Sequence, residues 1–131
     1  MIRKATSDDI SAIRSLMESV PDFWQKSWRE NVLERGMDSA GGLAFVWEEG
    51  NEILGFICAH DLGFRGYISE LVVAEKARGK KIGKKLVELV QAKLTEVGCS
   101  VIIADVWRDA ESFYRKLGWD SPDVILLAKR L

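Results

Sequence analysis

Residues 72–86 read Val-Val-Ala-Glu-Lys-Ala-Arg-Gly-Lys-Lys-Ile-Gly-Lys-Lys-Leu, and they join two regular elements of different period. The first two residues end an apolar, β-branched run that is typical of a strand. After them, apolar residues recur at the spacing of one helix face, at Ile82, Leu86, Leu89, Val90, Leu94 and Val97. Between the strand and the helix lies a turn with two glycines and six basic residues.

The composition of this turn suits a phosphate ligand. Glycine lets backbone N–H groups approach a ligand closely, and a helix start presents unpaired N–H groups with a partial positive charge. The countercharge comes from six side chains, Lys76, Arg78, Lys80, Lys81, Lys84 and Lys85. The spacing is not that of a P-loop, because only three residues separate Gly79 from Gly83, and the sequence has no Gly-x-Gly-x-x-Gly of a dinucleotide fold. A solvated basic turn before a helix is the alternative interpretation.

Length and composition indicate one globular unit. A chain of 131 residues suits a single domain over residues 1–131, with 47% hydrophobic and 30% charged residues. The formal net charge of -1 argues against a nucleic-acid partner, which would need a broad basic face. Cys58 and Cys99 lack metal-ligand spacing, so we expect reduced thiols and no metal site. The sequence shows no apolar signal core and no run of membrane-spanning length, so a cytoplasmic location without a membrane partner is expected.

Periodicity along the chain predicts an α+β fold with the element order β-α-α-β-β-β-α-β-α-β. The predicted strands cover residues 2–5, 43–47, 53–59, 67–73, 100–106 and 124–129. The predicted helices cover residues 10–20, 23–34, 82–97 and 110–117, and Gly36 closes the second helix. Hairpins make the sheet mostly antiparallel, whereas the long helix makes the strands on either side of it parallel. We therefore expect one mixed sheet flanked by helices.

Two motifs resemble those of the GCN5-related N-acetyltransferases (GNAT). The basic turn resembles their acyl-coenzyme A loop, Arg/Gln-x-x-Gly-x-Gly/Ala, with Arg78 and Gly83 at its ends and Lys81 in place of the middle glycine. Residues 110–119 resemble their second motif, Asn-x-x-Ala-x-x-Phe-Tyr-x-x-x-Gly-Phe. The matching residues are Ala110, Phe113, Tyr114 and Gly118, while Trp107 and Trp119 replace the asparagine and the last phenylalanine. The predicted element order resembles this family over nearly the whole chain.

The resemblance implies an acetyl-CoA site and a catalytic acid. In the family, the pantetheine arm lies between two splayed strands and bonds to backbone groups, which correspond to those of Leu71, Val72 and Val73. The pyrophosphate-binding loop corresponds to Arg78, Gly79, Lys80, Lys81, Ile82, Gly83 and Lys84. Tyr114 corresponds to the general acid that protonates the departing thiolate. Its helical spacing with neighbouring apolar residues is equally explained by core packing.

Two further residues have chemistry of their own. Glu70 is a polar residue in an apolar strand, and alternation places it on the face opposite Leu71. There, its carboxylate could hold an ammonium group or relay its proton through water. The alternative is a strand residue that reaches solvent or pairs with Arg65. His60, the only histidine, ends a strand beside Asp61 and is interpreted as a surface turn residue.

Together, these observations predict an enzyme that moves an acetyl group from acetyl-CoA to a primary amine. Neither cysteine lies in the two motifs, so direct attack in a ternary complex is expected. The acceptor would be a small-molecule amine or a peptide amine, and the first two helices, which carry Trp24 and Trp28, would shape its pocket. The oligomeric state is left open, with a homodimer as one option. A non-catalytic acyl-CoA sensor or partner module is the alternative function.

Overall fold

The computed structural model describes residues 1–131, which form five strands and four helices around one sheet. In chain order these are β1 (Ile2–Lys4), α1 (Ile10–Ser19), α2 (Val32–Ala40), β2 (Ala44–Glu49), β3 (Glu52–Asp61), β4 (Gly66–Val73), α3 (Ile82–Glu96), β5 (Ile102–Ala104) and α4 (Glu111–Lys116). None of the helices combines the length and the apolar character that crossing a bilayer requires.

The sheet has the strand order β1-β2-β3-β4-β5. The first four strands pair antiparallel, and β5 pairs parallel with β4 through the register Gly66↔Ile102 to Ile68↔Ala104. The sequence predicted this mixed, mostly antiparallel sheet, and the structure confirms it. The parallel pair follows from the α3 crossover, since parallel neighbours need a long connection.

Helices cover both faces of the sheet. On one face, a Cβ built at Gly55 of β3 would lie 2.8 Å from the Ile82 side chain, so α3 sits directly against the strand backbone. On the opposite face, Cys58 Sγ donates to the carbonyl of Gly36 in α2 over 3.5 Å. The fully buried side chains come from both layers and from the sheet, among them Phe56, Ile13, Met17, Ile57, Leu86 and Val90. This core holds the start of α3 in a fixed position relative to the sheet.

The second helix differs from its prediction over residues 23–34. Helix α2 begins only at Val32 and runs through Gly36 to Ala40, where Gly41 ends it with φ 59°. Residues 21–31 are mainly turns, so Trp24 and Trp28 precede the helix. A tertiary contact is made from this segment, because the Arg14 guanidinium of α1 lies 4.4 Å from the centre of the Trp24 ring.

The predicted last strand, Val124–Lys129, is not formed. Residues 120–131 carry no regular structure, and no backbone hydrogen bond joins them to the rest of the chain. The predicted strand 100–106 is shortened to Ile102–Ala104 and forms an edge of the sheet. An apolar run specifies a tendency to pair, and that tendency alone does not form a strand.

Candidate functional site

The basic turn, residues 75–84, leaves several consecutive backbone N–H groups without an acceptor. It consists of a short 3-10 turn at Glu75–Ala77, then Gly79 with φ 89° and Lys81 with φ 62°, and α3 begins at the next residue. The six N–H groups from Gly79 to Lys84 donate to no backbone or side-chain acceptor, and the first helical bond starts at Lys85. Successive unpaired donors at a helix start form an anion-binding concavity. The geometry of the turn therefore suits a phosphate group.

Only half of the basic side chains are available to such an anion. Three of them contact the β2–β3 hairpin instead, namely Lys76 with Glu52 at 2.5 Å, Lys80 with Glu49 at 3.9 Å, and Lys85 over the Trp47 ring at 5.4 Å. Arg78, Lys81 and Lys84 form no ion pair. The free positive charge is thus concentrated at the turn and the first helical turn.

Lys81 explains why glycine is usual at the middle position of the loop motif. Its φ of 62° lies in the left-handed region, where a side chain costs energy that glycine avoids. Lys81 adopts this conformation despite the steric cost, and the N–H groups on either side of it remain unpaired. The departure from the motif therefore adds strain to the loop, while the N–H groups of the turn stay unpaired.

We expect Lys81→Gly to raise the free energy of unfolding by about 1 kcal/mol, because glycine adopts the left-handed conformation without the steric cost. Lys84→Gly is the matched control, since it removes the same charge from a right-handed helical position and should lower stability by about 1 kcal/mol. Urea denaturation of both variants measures the two effects. Changes of the same sign would contradict the assignment of strain to Lys81.

Gly83 links the basic turn to the second motif by packing. A Cβ at this position would lie 3.2 Å from the Phe113 ring of α4 and 3.6 Å from Val73 Cγ2 of β4. Any side chain here would disturb the contact between the helices as well as the turn. Loop function is therefore better tested at exposed positions such as Arg78 than at Gly83.

Beside the turn, β4 and β5 diverge. Their pairing ends at Ile68↔Ala104, while β4 continues to Val73 with hydrogen bonds to β3 alone. Leu71, Val72 and Val73 thus have one free backbone edge, facing the gap between the strands. Extended groups that alternate donors and acceptors, such as the amides of a pantetheine arm, could continue the sheet here.

A β-bulge decides which side chains of β4 face α2. The register passes from Cys58↔Glu70 to Ala59↔Ile68, so Ser69 is an extra residue without a partner. Two residues at a bulge oppose one on the neighbouring strand, and the usual alternation is interrupted. Glu70 lies on the same face of the sheet as its partner Cys58. Leu71 points to the other face, as the sequence predicted.

Glu70 occupies a partly buried position without a partner. Its carboxylate makes no hydrogen bond and no ion pair, so the alternative pairing with Arg65 is not formed. Burial, helped by the negative charge of Asp105, raises the pKa of the Glu70 carboxyl to about 7. A carboxyl group with that pKa can accept and release a proton near neutral pH.

Asp105 is a site residue that the sequence did not single out. It follows β5 directly, where the two strands separate, and it accepts a hydrogen bond from the Tyr67 hydroxyl of β4. Burial and this bond raise the pKa of Tyr67, which keeps its hydroxyl a donor. An acidic residue at the end of an apolar strand, next to the predicted gap, was the signal available in the sequence.

His60 is buried, in contrast to the predicted surface position. It lies inside β3 with 7% of its surface exposed, and its Nε2 is 2.7 Å from Ser69 Oγ. Its Nδ1 is 3.4 Å from Ser39 Oγ of α2. These contacts tie α2 and β3 to the bulge, so His60 supports the strand that carries Glu70 without touching that carboxylate.

Tyr114 presents a free hydroxyl from a buried ring. The ring is 8% exposed and meets Phe113 and Trp119 edge-to-face at 5.1 Å, whereas its hydroxyl makes no hydrogen bond. Burial and the negative charges of Asp105 and Glu70 raise the pKa of Tyr114 to about 12. The phenol therefore stays protonated at neutral pH and can act as a proton donor. Core packing and a role in the site are compatible for this residue.

Comparison with known proteins finds a matching family and similar sequences. Residues 10–119 match the model of the acetyltransferase (GNAT) family. Acetyltransferase ECA0875 of Pectobacterium atrosepticum is 31% identical over 133 aligned residues, covering 99% of this chain and 94% of the relative.

Two solved structures share the fold over nearly their full length. A transcriptional regulator from Bacillus halodurans C-125 superposes with a TM-score of 0.81 at 22% identity, covering 99% of both chains. Glucosamine-6-phosphate N-acetyltransferase from Arabidopsis thaliana superposes with a TM-score of 0.73 at 26% identity, covering 99% of this chain and 97% of that one.

Proposed function

The chain belongs to the acetyltransferase (GNAT) family, and we propose that it transfers an acetyl group from acetyl-CoA to a primary amine. The observation that carries this proposal is the row of six unpaired N–H groups from Gly79 to Lys84, set beside the gap between β4 and β5. A pyrophosphate on that row would send the pantetheine arm along the free edge of Leu71, Val72 and Val73. The thioester would then lie near Glu70 and Tyr114.

The residues in the gap suit direct transfer in a ternary complex. The amine nitrogen attacks the thioester carbonyl, the carbon–sulfur bond breaks, and the amine loses a proton while the thiolate gains one. Glu70, directly or through water, takes the proton from the amine, and Tyr114 supplies a proton to the sulfur. A covalent acyl-enzyme is not favoured at Cys58, because burial raises the pKa of that thiol to about 11.

The charges in the gap favour a cationic acceptor. Glu70 lies on β4 and Asp105 directly follows the neighbouring strand β5, and no basic side chain pairs with either carboxyl group. A primary ammonium group would be attracted there before it loses one proton to solvent and attacks as the neutral amine. Both a small-molecule amine and the amino end of a peptide meet this requirement.

Acetyl-CoA binding to two variants of the basic turn tests whether this turn binds the pyrophosphate. Arg78→Gln removes a charge that has no partner in the protein, so the dissociation constant for acetyl-CoA should rise at least tenfold, or about 1.4 kcal/mol. Lys76→Gln, the matched control, removes an equal charge that already pairs with Glu52, and its effect should stay within twofold. Calorimetric titration of both variants measures this.

Equal effects of the two substitutions would contradict specific pyrophosphate binding at the basic turn, because general electrostatic attraction would then explain the affinity. Release of coenzyme A in the presence of a panel of amines separates the enzyme from the alternative sensor module. Acetyl-CoA binding without release for any amine would support the sensor.

A further inference from the structure

His60 is a buried titratable side chain that the proposed reaction does not use. Only 7% of its surface is exposed, and polar groups from three elements surround its ring. Nε2 lies 2.7 Å from Ser69 Oγ of β4 and 3.7 Å from Cys58 Sγ of β3. Nδ1 lies 3.4 Å from Ser39 Oγ of α2. Which ring nitrogen carries the proton therefore follows from the hydrogen bonds that these neighbours make.

The two neighbours of Nε2 have no proton to donate to it. The Ser69 hydroxyl donates to the Cys58 carbonyl oxygen over 3.2 Å, and the Cys58 thiol donates to the Gly36 carbonyl oxygen over 3.5 Å. Each of these groups has a single proton, so both present lone pairs to Nε2. The Ser39 hydroxyl contacts only Nδ1, so its proton is available to that nitrogen. This pattern favours a neutral ring with its proton on Nε2.

Ser69 connects this ring to the backbone that carries Glu70. Ser69 is the extra residue of the β4 bulge, and its hydroxyl is fixed between His60 Nε2 and the Cys58 carbonyl oxygen. Glu70 follows directly, and no ion pair fixes the direction of its own carboxylate. Bulges change the direction in which nearby side chains point. The direction of Glu70 thus depends on how firmly Ser69 is held.

We propose that His60, with its ring proton on Nε2, is a positioning residue that holds the bulge at Ser69 and thereby directs Glu70 into the gap between β4 and β5. Its importance for turnover rests on the proposed acetyl transfer, whereas the tautomer and the link to Glu70 do not. A bulge that is no longer held would let the Glu70 carboxylate reach solvent, and the loss of burial would lower its pKa.

The link from His60 to Glu70 is geometric. Burial and the charge of Asp105 raise the pKa of Glu70, and the imidazole makes no contribution. The other titratable groups that are close enough to interact with the Glu70 charge are Cys58 of β3, Tyr67 of β4 and Tyr114 of α4. None of these groups is altered by substitutions at His60, Ser69 or Ser39.

NMR spectroscopy of the ring tests the tautomer without any enzyme activity. His60 is the only histidine, so long-range proton–nitrogen correlations of an untagged chain report this imidazole alone. At pH 8, the nitrogen that is coupled to both carbon-bound ring protons is Nε2, and it should have the chemical shift of a protonated nitrogen. Nδ1 should have the shift of an unprotonated one. A proton on Nδ1, or on both nitrogens, would overturn the proposal even if a variant described below failed to fold.

Ser69→Ala and Ser39→Ala form a matched pair, because each removes one hydrogen bond to the same ring. The carboxyl carbon signal of Glu70, assigned by its loss in Glu70→Gln, is followed against pH. Its midpoint should stay near 7 in the parent and in Ser39→Ala, but fall by about one pH unit in Ser69→Ala. In Ser69→Ala, kcat/KM for the acceptor should also fall roughly ten- to a hundredfold at unchanged acetyl-CoA affinity.

Substitutions of His60 itself separate positioning from packing. His60→Leu should reproduce the titration of Ser69→Ala, whereas His60→Gln should restore most of the parent behaviour, since its amide N–H can replace the Nε2 proton. Variants that lose stability but keep the parent midpoint would assign His60 to packing alone and overturn the proposal. A shifted midpoint in a protein that acetylates no amine would support the link to Glu70 and contradict acetyl transfer.

Discussion

Tyr114→Phe should lower kcat by about a hundredfold while leaving acetyl-CoA affinity and the free energy of unfolding close to those of the parent. Stability should hold because the hydroxyl makes no hydrogen bond in the structure, so its removal leaves no buried group unpaired. Phenylalanine also keeps both edge-to-face contacts of the ring. Single-turnover measurements of coenzyme A release report the chemical step directly.

The leaving group supplies the control for Tyr114. An acetyl donor whose leaving group is stable as an anion needs no protonation, so the deficit of Tyr114→Phe should shrink with such a donor. If Tyr114→Phe has the single-turnover rate of the parent with acetyl-CoA, then Tyr114 has only a packing role. An undiminished deficit with the activated donor would assign it to positioning.

Glu70→Gln should lower kcat/KM for the acceptor by about a hundredfold at pH 8, and acetyl-CoA affinity should not change. In the parent, kcat/KM should rise with pH with a midpoint near 7, the pKa to which burial raises this carboxyl. The glutamine variant has no group to titrate there, so this limb of the profile should be absent. The same acceptor is used for both proteins, which cancels the titration of the amine itself.

Asp105→Asn is the matched variant for this prediction. The Asp105 charge contributes to the raised pKa of Glu70, so its removal should move the midpoint of the parent profile to lower pH. Superimposable profiles for the parent, Glu70→Gln and Asp105→Asn would leave deprotonation to the substrate or to water.

The same carboxyl links stability to pH. The pKa of Glu70 is higher in the folded than in the unfolded protein, so its contribution to stability is present below the unfolded value and lost as pH rises through about 7. Glu70→Gln should therefore stabilise the protein at pH 8 by on the order of 2 kcal/mol and change little at pH 4. Denaturation curves at the two pH values measure this.

The sequence by itself determined the elements whose signals are local. Alternation, helical spacing and turn residues were enough to place the sheet strands and α3, and the α3 crossover implied that β5 is parallel to β4. The two motifs located the basic turn and Tyr114, and one polar residue in an apolar strand indicated Glu70. These features depend on neighbours within a few residues, which a sequence shows directly.

The tertiary structure alone decided the features that depend on distant residues. The bulge at Ser69 is a mismatch between two strands, so neither strand reveals it alone. Which basic side chains stay free depends on the β2–β3 hairpin, and the position of Asp105 depends on the separation of β4 from β5. The structure forms neither the predicted helix over residues 23–31 nor the predicted strand 124–129. An apolar pattern indicates a preference for a helix or strand, but contacts with distant parts of the fold decide whether the element forms.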